Sequence, residues 1–234
     1  MAFGPSGAVW PDSAKNDHRV GRETSKFVAE LNKFAFASRI DNQRCTSDHW
    51  LVQFEPLEFW LVLKVKEYSA IEALRDGCRV EIRALRPDDR ADLIAAVSRT
   101  SDRCLYRRFF GLKRSFTDQE AAFFVNVDFV NHVALIALID EDGGSVIAGG
   151  GRYVVVRPGQ AEVAFVVVDE YQGRGIGRAL MRHLTSIACA AGLRTLIAEV
   201  LPENTAMLQL FKTSGLPLST RHEGQIVDVT IWLF

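Results

Sequence analysis

The second part of the chain follows a regular pattern of apolar and polar positions, whereas the first 66 residues do not. From Arg79 to Leu85 polar and apolar residues alternate, which is typical of a half-buried strand. Three longer strands are predicted further along, over Val133 to Asp140, Ser145 to Val156 and Ala161 to Val168. Turn-forming stretches rich in Gly, Pro and Asp separate them. The middle of the chain is therefore expected to form an antiparallel meander.

Helical patterns occur on both sides of this meander. Pro87 and two acidic residues follow the first strand and are typical of the first turn of a helix. The apolar face of that helix is predicted to hold Leu93, Ile94 and Val97. A second helical stretch holds Leu105, Tyr106, Phe109 and Phe110. A third follows Thr117, whose spacing to Glu120 predicts a capping box.

After the third long strand the predicted order is helix, strand, helix, strand. The segments are Gly175 to Ala191, Thr195 to Val200, Glu203 to Ser214, and an alternating stretch that ends at Trp232. Gly192 and Gly215 stand where the C-terminal caps of the two helices belong. The whole pattern predicts a mixed α/β domain in which a parallel crossover follows antiparallel strands.

Residues Met1 to Lys66 carry many aromatic residues but little sustained periodicity. One amphipathic helix is predicted between Thr24 and Ile40, with apolar positions at Phe27, Leu31 and Phe34. We interpret residues 1–66 as an N-terminal extension to a domain that covers residues 67–234. Two alternatives stay open for the extension: a partner-binding or autoinhibitory segment, and a dispensable tract from a start codon placed too far upstream.

Composition and charge narrow the classes of partner. The 234 residues include 28 Lys and Arg against 29 Asp and Glu, so no global field attracts nucleic acid or anionic membranes. The most apolar run, Phe59 to Leu63, is far shorter than the ~20 residues that span a bilayer. Cys45 and His49 lack two further ligands for a metal site. We expect a reduced, cytoplasmic protein without a metal.

The segment from Ala161 to Arg178 carries the candidate chemistry. It comprises a strand, a loop with glycines at positions 173, 175 and 177, and the start of a helix. Glycine lets a backbone approach a ligand closely, and a helix N-terminus directs N–H groups and partial positive charge outward. Arg174 and Arg178 add positive charge, so a pyrophosphate would fit there.

Two familiar phosphate-binding loops do not match this segment. A P-loop ends in Gly-Lys-Ser or Gly-Lys-Thr, whereas this loop ends in Gly177-Arg178-Ala179. In a dinucleotide fingerprint the third glycine would stand where Arg178 does, although Glu199 imitates the acidic residue on the next strand. Hydrolysis of nucleoside triphosphates and binding of a dinucleotide are therefore both disfavoured.

Two motifs resemble the GNAT superfamily of N-acetyltransferases. Gln172, Gly175 and Gly177 match the acyl-CoA loop Gln/Arg-x-x-Gly-x-Gly/Ala. The second motif is similar to the helix that lines the pantetheine arm and consists of Asn204, Met207, Leu210, Phe211, Lys212, Gly215 and Leu216. The resemblance covers about Arg79 to Leu233. Leu105 to Phe110, with Ala161 and Glu162, resembles more narrowly the catalytic domain of bacterial protein lysine acetyltransferases that act on acyl-CoA synthetases.

The resemblance implies a mixed, mainly antiparallel central sheet flanked by helices, in which a strand pair splays apart at the acyl-CoA site. The acyl donor would be acetyl-CoA, with its thioester in the gap between Val166 and the strand around Glu199. The implied ligands are Phe165, Val166, Val167, Val168, Gln172, Gly173, Arg174, Gly175, Ile176, Gly177, Arg178, Asn204, Met207 and Phe211. For Asn204 a helix-capping role is an equal alternative.

Attack on a thioester needs a neutral amine, and a lysine of pKa ~10.4 is almost wholly protonated at pH 7. A general base is therefore required. The resemblance implies Glu162, acting directly or through a water, and the alternative for Glu162 is a surface carboxylate on an alternating strand. Glu199 is the second candidate base, or else a buried partner of an arginine. Phe211 stands where many family members have a tyrosine acid, so the thiol would leave as thiolate or be protonated by water.

The function expected from these residues is acyl-CoA-dependent transfer of acetyl to a protein lysine, by direct attack in a ternary complex. Two alternatives stay open: an acetyltransferase for a small amine, and a non-catalytic acyl-CoA sensor. Arg107, Arg108, Tyr106 and Phe110 would frame an acceptor cleft, bind CoA phosphates, or only pack. The sequence leaves the acceptor, the preferred acyl length and the oligomeric state undetermined.

Overall fold

A computed structural model describes residues 65–111, 117–141 and 143–233 of the chain. Within these ranges the chain forms eight strands and five α-helices. In chain order they are β1 (Ser69–Ala73), β2 (Arg79–Ala84), α1 (Arg90–Ser98), α2 (Asp102–Phe109), α3 (Asp118–Val125), β3 (His132–Glu141), β4 (Gly144–Arg157), β5 (Gln160–Val167), α4 (Ile176–Ala190), β6 (Thr195–Val200), α5 (Thr205–Lys212), β7 (Leu218–Glu223) and β8 (Ile226–Trp232). Short 3₁₀ turns precede α1 and α4.

All eight strands join one sheet in the order β1-β2-β3-β4-β5-β6-β8-β7. Neighbouring strands are antiparallel except β5 and β6, which are parallel because α4 carries the chain back across the sheet between them. The predicted mixed, mainly antiparallel sheet flanked by helices is thereby confirmed.

The parallel pair separates after a short contact. Residues 160–162 of β5 pair with residues 195–197 of β6. Beyond them β5 continues beside β4 as far as Val167, whereas β6 continues beside β8 as far as Val200. The two strands therefore diverge, and the predicted splayed pair is confirmed.

The main core lies on both faces of the central strands. Seven consecutive residues of β3, from Val133 to Ile139, are buried, which explains their nearly continuous apolar sequence. On one face α4 contributes Leu180 and Leu184, which have no exposed surface. On the other face a smaller cluster of α1, α2 and α3 packs around Phe109. The sheet is therefore covered by helices on both sides.

The two edge strands, β1 and β7, are absent from the sequence prediction. Every residue of β7 after Leu218 is exposed, and β1 alternates only weakly, so neither has the apolar periodicity that reveals a half-buried strand. Phe110 was expected in the second helix, but it ends α2 in the left-handed conformation with φ of 55°. Ile94 was expected on the buried face of α1, but it is 42% exposed.

The remaining predicted elements agree with the structure within a few residues. The capping box forms, since Thr117 Oγ1 accepts from the Glu120 N–H at 3.2 Å and the Glu120 carboxylate accepts from the Thr117 N–H at 2.9 Å. The predicted amphipathic helix near Phe27 lies outside the described residues, as does nearly all of residues 1–66. Val65 is described and is buried in the main core, so the core includes a residue from before the predicted boundary.

A buried ion pair fixes the junction between β2 and α1. The Arg83 guanidinium donates two hydrogen bonds to the Asp89 carboxylate, at 2.6 and 2.7 Å, and the Arg86 N–H donates a third at 2.6 Å. Burial of Asp89 opposes its ionisation, but these hydrogen bonds outweigh burial and lower the pKa of the carboxyl. The junction therefore depends on an ionised Asp89.

We expect Asp89→Asn to lower the free energy of unfolding by about 3 kcal/mol at pH 7, because it leaves the Arg83 charge without its partner. The exposed neighbour provides the control, since Asp88→Asn is expected to change stability by less than about 0.5 kcal/mol. Because the pKa of Asp89 is lowered in the folded state, its contribution is complete above the ordinary carboxyl pKa of about 4 and disappears as pH falls through the folded value. Urea unfolding of both variants and the wild type at pH 7 and pH 3 measures these changes. If Asp89→Asn were as stable as Asp88→Asn at pH 7, the ion pair with Arg83 would not stabilise the junction.

Candidate functional site

The divergence of β5 and β6 opens a cleft of about 640 Å³. The second half of β5 forms one wall, and β6 with α5 forms the other. The start of α4 closes one end. Twelve of the fourteen predicted acyl-CoA ligands line this cleft: Phe165, Val166, Val167, Gln172, Gly173, Gly175, Ile176, Gly177, Arg178, Asn204, Met207 and Phe211.

The backbone of β5 directs hydrogen-bonding groups into the cleft. The Val168 N–H donates to the Ala148 carbonyl on β4 at 2.9 Å. In an antiparallel pair the bonded residues alternate, so the N–H and C=O groups of Val166 also face β4. Those of Phe165 and Val167 consequently face the cleft, where an extended amide chain would pair with them as an added strand does.

The residues around β5 support this orientation. At the start of β5, the carbonyl of Gly159 accepts from the Thr195 N–H of β6 at 3.1 Å. The backbone N–H and C=O groups of the odd-numbered residues of β5 therefore point toward β6. At its end, the Val167 carbonyl accepts from Gln172 Nε2 at 3.0 Å. Gln172 of the predicted loop therefore also connects the loop to the last residue of the strand.

The loop before α4 forms an anion site from backbone groups. Gly173 and Gly175 have φ of 78° and 104°, a region of backbone conformation that residues other than glycine adopt only with strain. Gly175 is the N-cap of α4, and no described side chain caps the helix there. Helix geometry leaves the N–H groups of Ile176, Gly177 and Arg178 without intrahelical acceptors. These groups and the helix dipole favour a phosphate at this end of the cleft.

Two predicted ligands lie outside the cleft wall. The backbone N–H of Val168 is bonded to β4, and the residue is buried in the main core. Arg174 points toward the β1–β2 turn, where its Nε lies 2.6 Å from an Asp76 carboxylate oxygen. Its guanidinium also lies over the Tyr171 ring. Their assignment as acyl-CoA ligands stays a prediction.

Helix α5 positions the opposite wall. Asn204 is buried, and its side-chain oxygen accepts from the Met207 N–H at 3.2 Å, so it caps α5 while it lines the cleft. Phe211 is buried, and its ring meets that of Phe165 edge-on, with 6.3 Å between centroids. This contact holds α5 against β5 across the cleft, but the Phe211 ring offers no proton donor.

Glu162 lies on β5 just before the strands diverge. It is 6% exposed, so it is not the surface carboxylate of the alternative interpretation. Its neighbours across the sheet are Val154 and Ile197. Burial lowers the pKa of Arg108 on α2 to about 10, and the charge of Glu162 opposes that shift. Arg108 itself lines the cleft, so a buried carboxylate and a cleft-lining guanidinium interact beneath the site.

Glu199 lies on the other wall of the cleft and is half-buried. It pairs across the sheet with Asp228 on β8, which pairs in turn with Arg221 on β7. A row of charged side chains thus crosses three strands and begins at the cleft. Asp228 and Arg221 were not singled out from the sequence.

Two basic residues of the cleft, Arg75 and Arg103, were not predicted from the sequence. Arg75 comes from the β1–β2 turn, far along the chain from the loop, so only the folded structure brings it to the cleft. Arg103 and Arg107 lie four residues apart on α2, a helical spacing that the sequence contained. Arg107 donates to the Glu203 carbonyl at 2.9 Å. Together with Arg178, these residues bring positive charge to the lining of the cleft.

The aromatic and cysteine side chains of α2 divide between the cleft and the surface. The sequence analysis offered either a cleft-lining or a packing role for four residues of this segment. Three of them, Arg107, Arg108 and Phe110, line the cleft. Tyr106 does not, and it is 43% exposed. Cys104 lines the cleft, but burial raises the pKa of its thiol to about 11, so it is a poor nucleophile there.

The described residues contain no group of three or more His, Cys, Asp or Glu side chains arranged to hold a metal ion. His183 packs within the fold, between Tyr68 and Glu72, and its Nε2 lies 2.7 Å from the Glu72 carboxylate. Cys45 and His49 lie outside the described ranges. Among the helices that the structure describes, none has both the length and the apolarity needed to cross a bilayer.

Comparison with known proteins agrees with this geometry. An acetyltransferase of Pseudomonas aeruginosa is 33% identical over 141 residues, which cover 60% of this chain and 76% of that protein. The acetyltransferase Pat of Mycolicibacterium smegmatis is 34% identical over 146 residues, 61% of this chain. That alignment spans only 42% of Pat.

A solved structure shows the same fold. The crystal structure of the GNAT domain of S. lividans PAT superposes with a TM-score of 0.64 and 32% identity, and it covers 70% of this chain and 96% of that domain. Residues 98–216, about half of the chain, match the profile of the Acetyltransferase (GNAT) family. The chain therefore belongs to the GNAT family of acetyltransferases.

Proposed function

We propose that the protein transfers acetyl from acetyl-CoA to a protein lysine by direct attack in a ternary complex, with Glu162 as general base. The proposal is carried by one observation: backbone hydrogen-bonding groups of β5 and the N-terminus of α4 lie in the same cleft. The backbone groups of Phe165 and Val167 face the cleft beside the uncapped N-terminus of α4. An extended arm of amide groups that ends in a pyrophosphate matches both features at once.

In this proposal each wall of the cleft has a distinct role. The loop from Gln172 to Arg178 holds the pyrophosphate through backbone N–H groups. The cleft is also lined by Arg75, Arg103 and Arg107, which attract the remaining phosphate charge. Asn204, Met207 and Phe211 enclose the pantetheine arm from the side of α5. The thioester then lies beside Val166, where β5 and β6 have already separated.

The chemistry requires that a proton leave the attacking amine. The amine nitrogen forms a bond to the thioester carbonyl carbon, its proton passes to the base, and the carbon–sulfur bond breaks to release CoA as thiolate. Glu162 is buried beneath the cleft and does not line its wall, so we propose that a water carries the proton to it. Phe211 is unable to protonate the departing sulfur, which agrees with departure as thiolate.

Glu199 favours a second candidate function. It lines the cleft directly and begins the charged row with Asp228, and such carboxylates would attract a cationic small amine. The narrower resemblance of Leu105 to Phe110 favours the protein lysine instead. A cytoplasmic location and the division into an extension and a catalytic domain both stay predictions.

Incubation with isotopically labelled acetyl-CoA and a cell extract separates the two acceptors. We expect label in lysines of the macromolecular fraction, located by mass spectrometry. Label confined to the small-molecule fraction would contradict the protein acceptor and favour the small amine. Binding of CoA without label in either fraction would contradict catalysis and favour a sensor.

We expect Glu162→Gln to lower kcat by about a hundredfold, because general-base catalysis is typically worth at least that factor. The affinity for CoA, measured by calorimetry, should stay nearly unchanged. Glu199→Gln is the matched control, expected to change kcat by less than about tenfold. A large effect at Glu199 with none at Glu162 would reverse the assignment of the base.

We expect Gly175→Ala to weaken the binding of acetyl-CoA by about tenfold, because an alanine at φ of 104° costs roughly 1–2 kcal/mol and displaces the loop backbone. Gly192→Ala, with φ of 74° beyond the other end of α4, is the matched control. It should lower the melting temperature to a similar degree without a change in affinity. Equal affinities for both variants would contradict the proposed pyrophosphate site.

A further inference from the structure

A second cavity lies beneath the cleft, between the sheet and the helices α1, α2 and α3. It measures about 70 Å³, and we call it the inner cavity. One water molecule needs about 10–15 Å³ by the same measure, so the inner cavity has room for several non-hydrogen atoms. Its walls are almost entirely apolar, with Leu93, Val97, Leu105, Phe109 and Phe124 on the side of the helices.

Small residues on three adjacent strands create the inner cavity. Gly150 on β4 pairs with Val166 on β5, and one step along the sheet Ala134 and Ala164 flank the intervening Arg152. Residues directly opposite each other on antiparallel strands share a face, so Ala134, Gly150 and Ala164 lie on the same face as Val166. The larger side chains of Ile136, opposite Gly150, and of Arg152 also lie on this face, and the small residues leave space between them. The space that these small residues leave is the side of the inner cavity next to the sheet.

The inner cavity and the cleft share part of one wall. Ala164, Phe165 and Val166 of β5 line both, and so does Arg108 of α2. Under the proposed function, on which this inference rests, the thioester lies beside Val166. The carbon chain of the acyl group is the part of the donor nearest to the inner cavity.

We propose that the inner cavity is an acyl-chain site, and that the protein accepts uncharged acyl-CoA donors longer than acetyl, such as propionyl-CoA and butyryl-CoA. Burial of each further methylene in apolar surroundings tightens binding by about fourfold. Butyryl-CoA, which has two more methylenes than acetyl-CoA, should therefore bind about fifteenfold more tightly.

The arginines of the inner cavity do not favour a donor with a terminal carboxylate. Arg152 lies over the Phe124 ring, with its guanidinium carbon 4.6 Å from the ring centroid, and it contacts His132 Nε2 at 3.1 Å. Arg108 lies over the Phe109 ring and interacts with Glu162. Arg90, the third arginine that lines the inner cavity, also interacts within the fold. All three arginines are therefore already engaged, and the apolar walls are expected to determine which acyl chain is preferred.

Calorimetry on the full chain tests the inference without an acceptor, with acetyl-CoA, propionyl-CoA, butyryl-CoA and succinyl-CoA as the probes. We expect affinity to increase from acetyl to butyryl. Ala134→Val adds volume inside the inner cavity, away from the cleft, and should abolish that increase while affinity for acetyl-CoA stays within about twofold. Val97→Ala enlarges the inner cavity and should extend the preference toward longer chains. Ala70→Val, on β1 and outside both cavities, is the matched control and should preserve the wild-type order.

The outcomes separate this inference from the proposed function. Binding of acetyl-CoA with weaker binding for each added methylene would overturn the acyl-chain site and leave the proposed function intact. A preference for succinyl-CoA would also overturn it, because the arginines would then determine the choice. If neither Ala134→Val nor Val97→Ala changed the order of affinities for the probes, the acyl chain would bind outside the inner cavity. That result would also overturn the acyl-chain site. If the wild-type protein bound none of the four acyl-CoA probes, the proposed function itself would be contradicted.

Discussion

The limited pairing of β5 with β6 is the constraint on which the site depends. Three residues of each strand pair, and then each strand follows its other neighbour. A continuous ladder would satisfy the backbone groups of Phe165 and Val167 within the sheet. Because the ladder stops, these groups face a cleft, where the Val167 carbonyl already accepts from Gln172 Nε2. A buried backbone group that is left without any partner costs free energy. A ligand with its own amide groups is the natural partner for them.

The rest of the architecture preserves that gap. Strand β4 holds β5 on one side through a long antiparallel ladder, and β8 holds β6 on the other. The contact between Phe165 and Phe211 joins the two walls across the cleft. The start of the crossover helix α4 lines the same cleft, so the positive end of its dipole faces the gap between the strands.

Much of this was predictable because the relevant signals are local. The glycine loop, the apolar periodicity of α4 and the alternation in β8 are each contained within about fifteen residues, and they predicted the crossover and the anion site. The edge strands β1 and β7 were not predictable from periodicity because their side chains are largely exposed. Arg75 and the inner cavity depend on contacts between distant segments, such as the alignment of Ala134, Arg152 and Ala164 across three strands. Arg174 was assigned to the ligand site from its position in the loop, whereas its ion pair with Asp76 needed the β1–β2 turn to be in place.

The most direct test of the central claim is a crystal structure of the full chain with acetyl-CoA. The account predicts that the pantetheine arm lies along β5, with its amide groups within hydrogen-bond distance of the Phe165 and Val167 backbone. It also predicts that the pyrophosphate oxygens accept from the N–H groups of Ile176, Gly177 and Arg178. Acetyl-CoA bound elsewhere, or in the cleft without contact to β5 and the start of α4, would contradict the account.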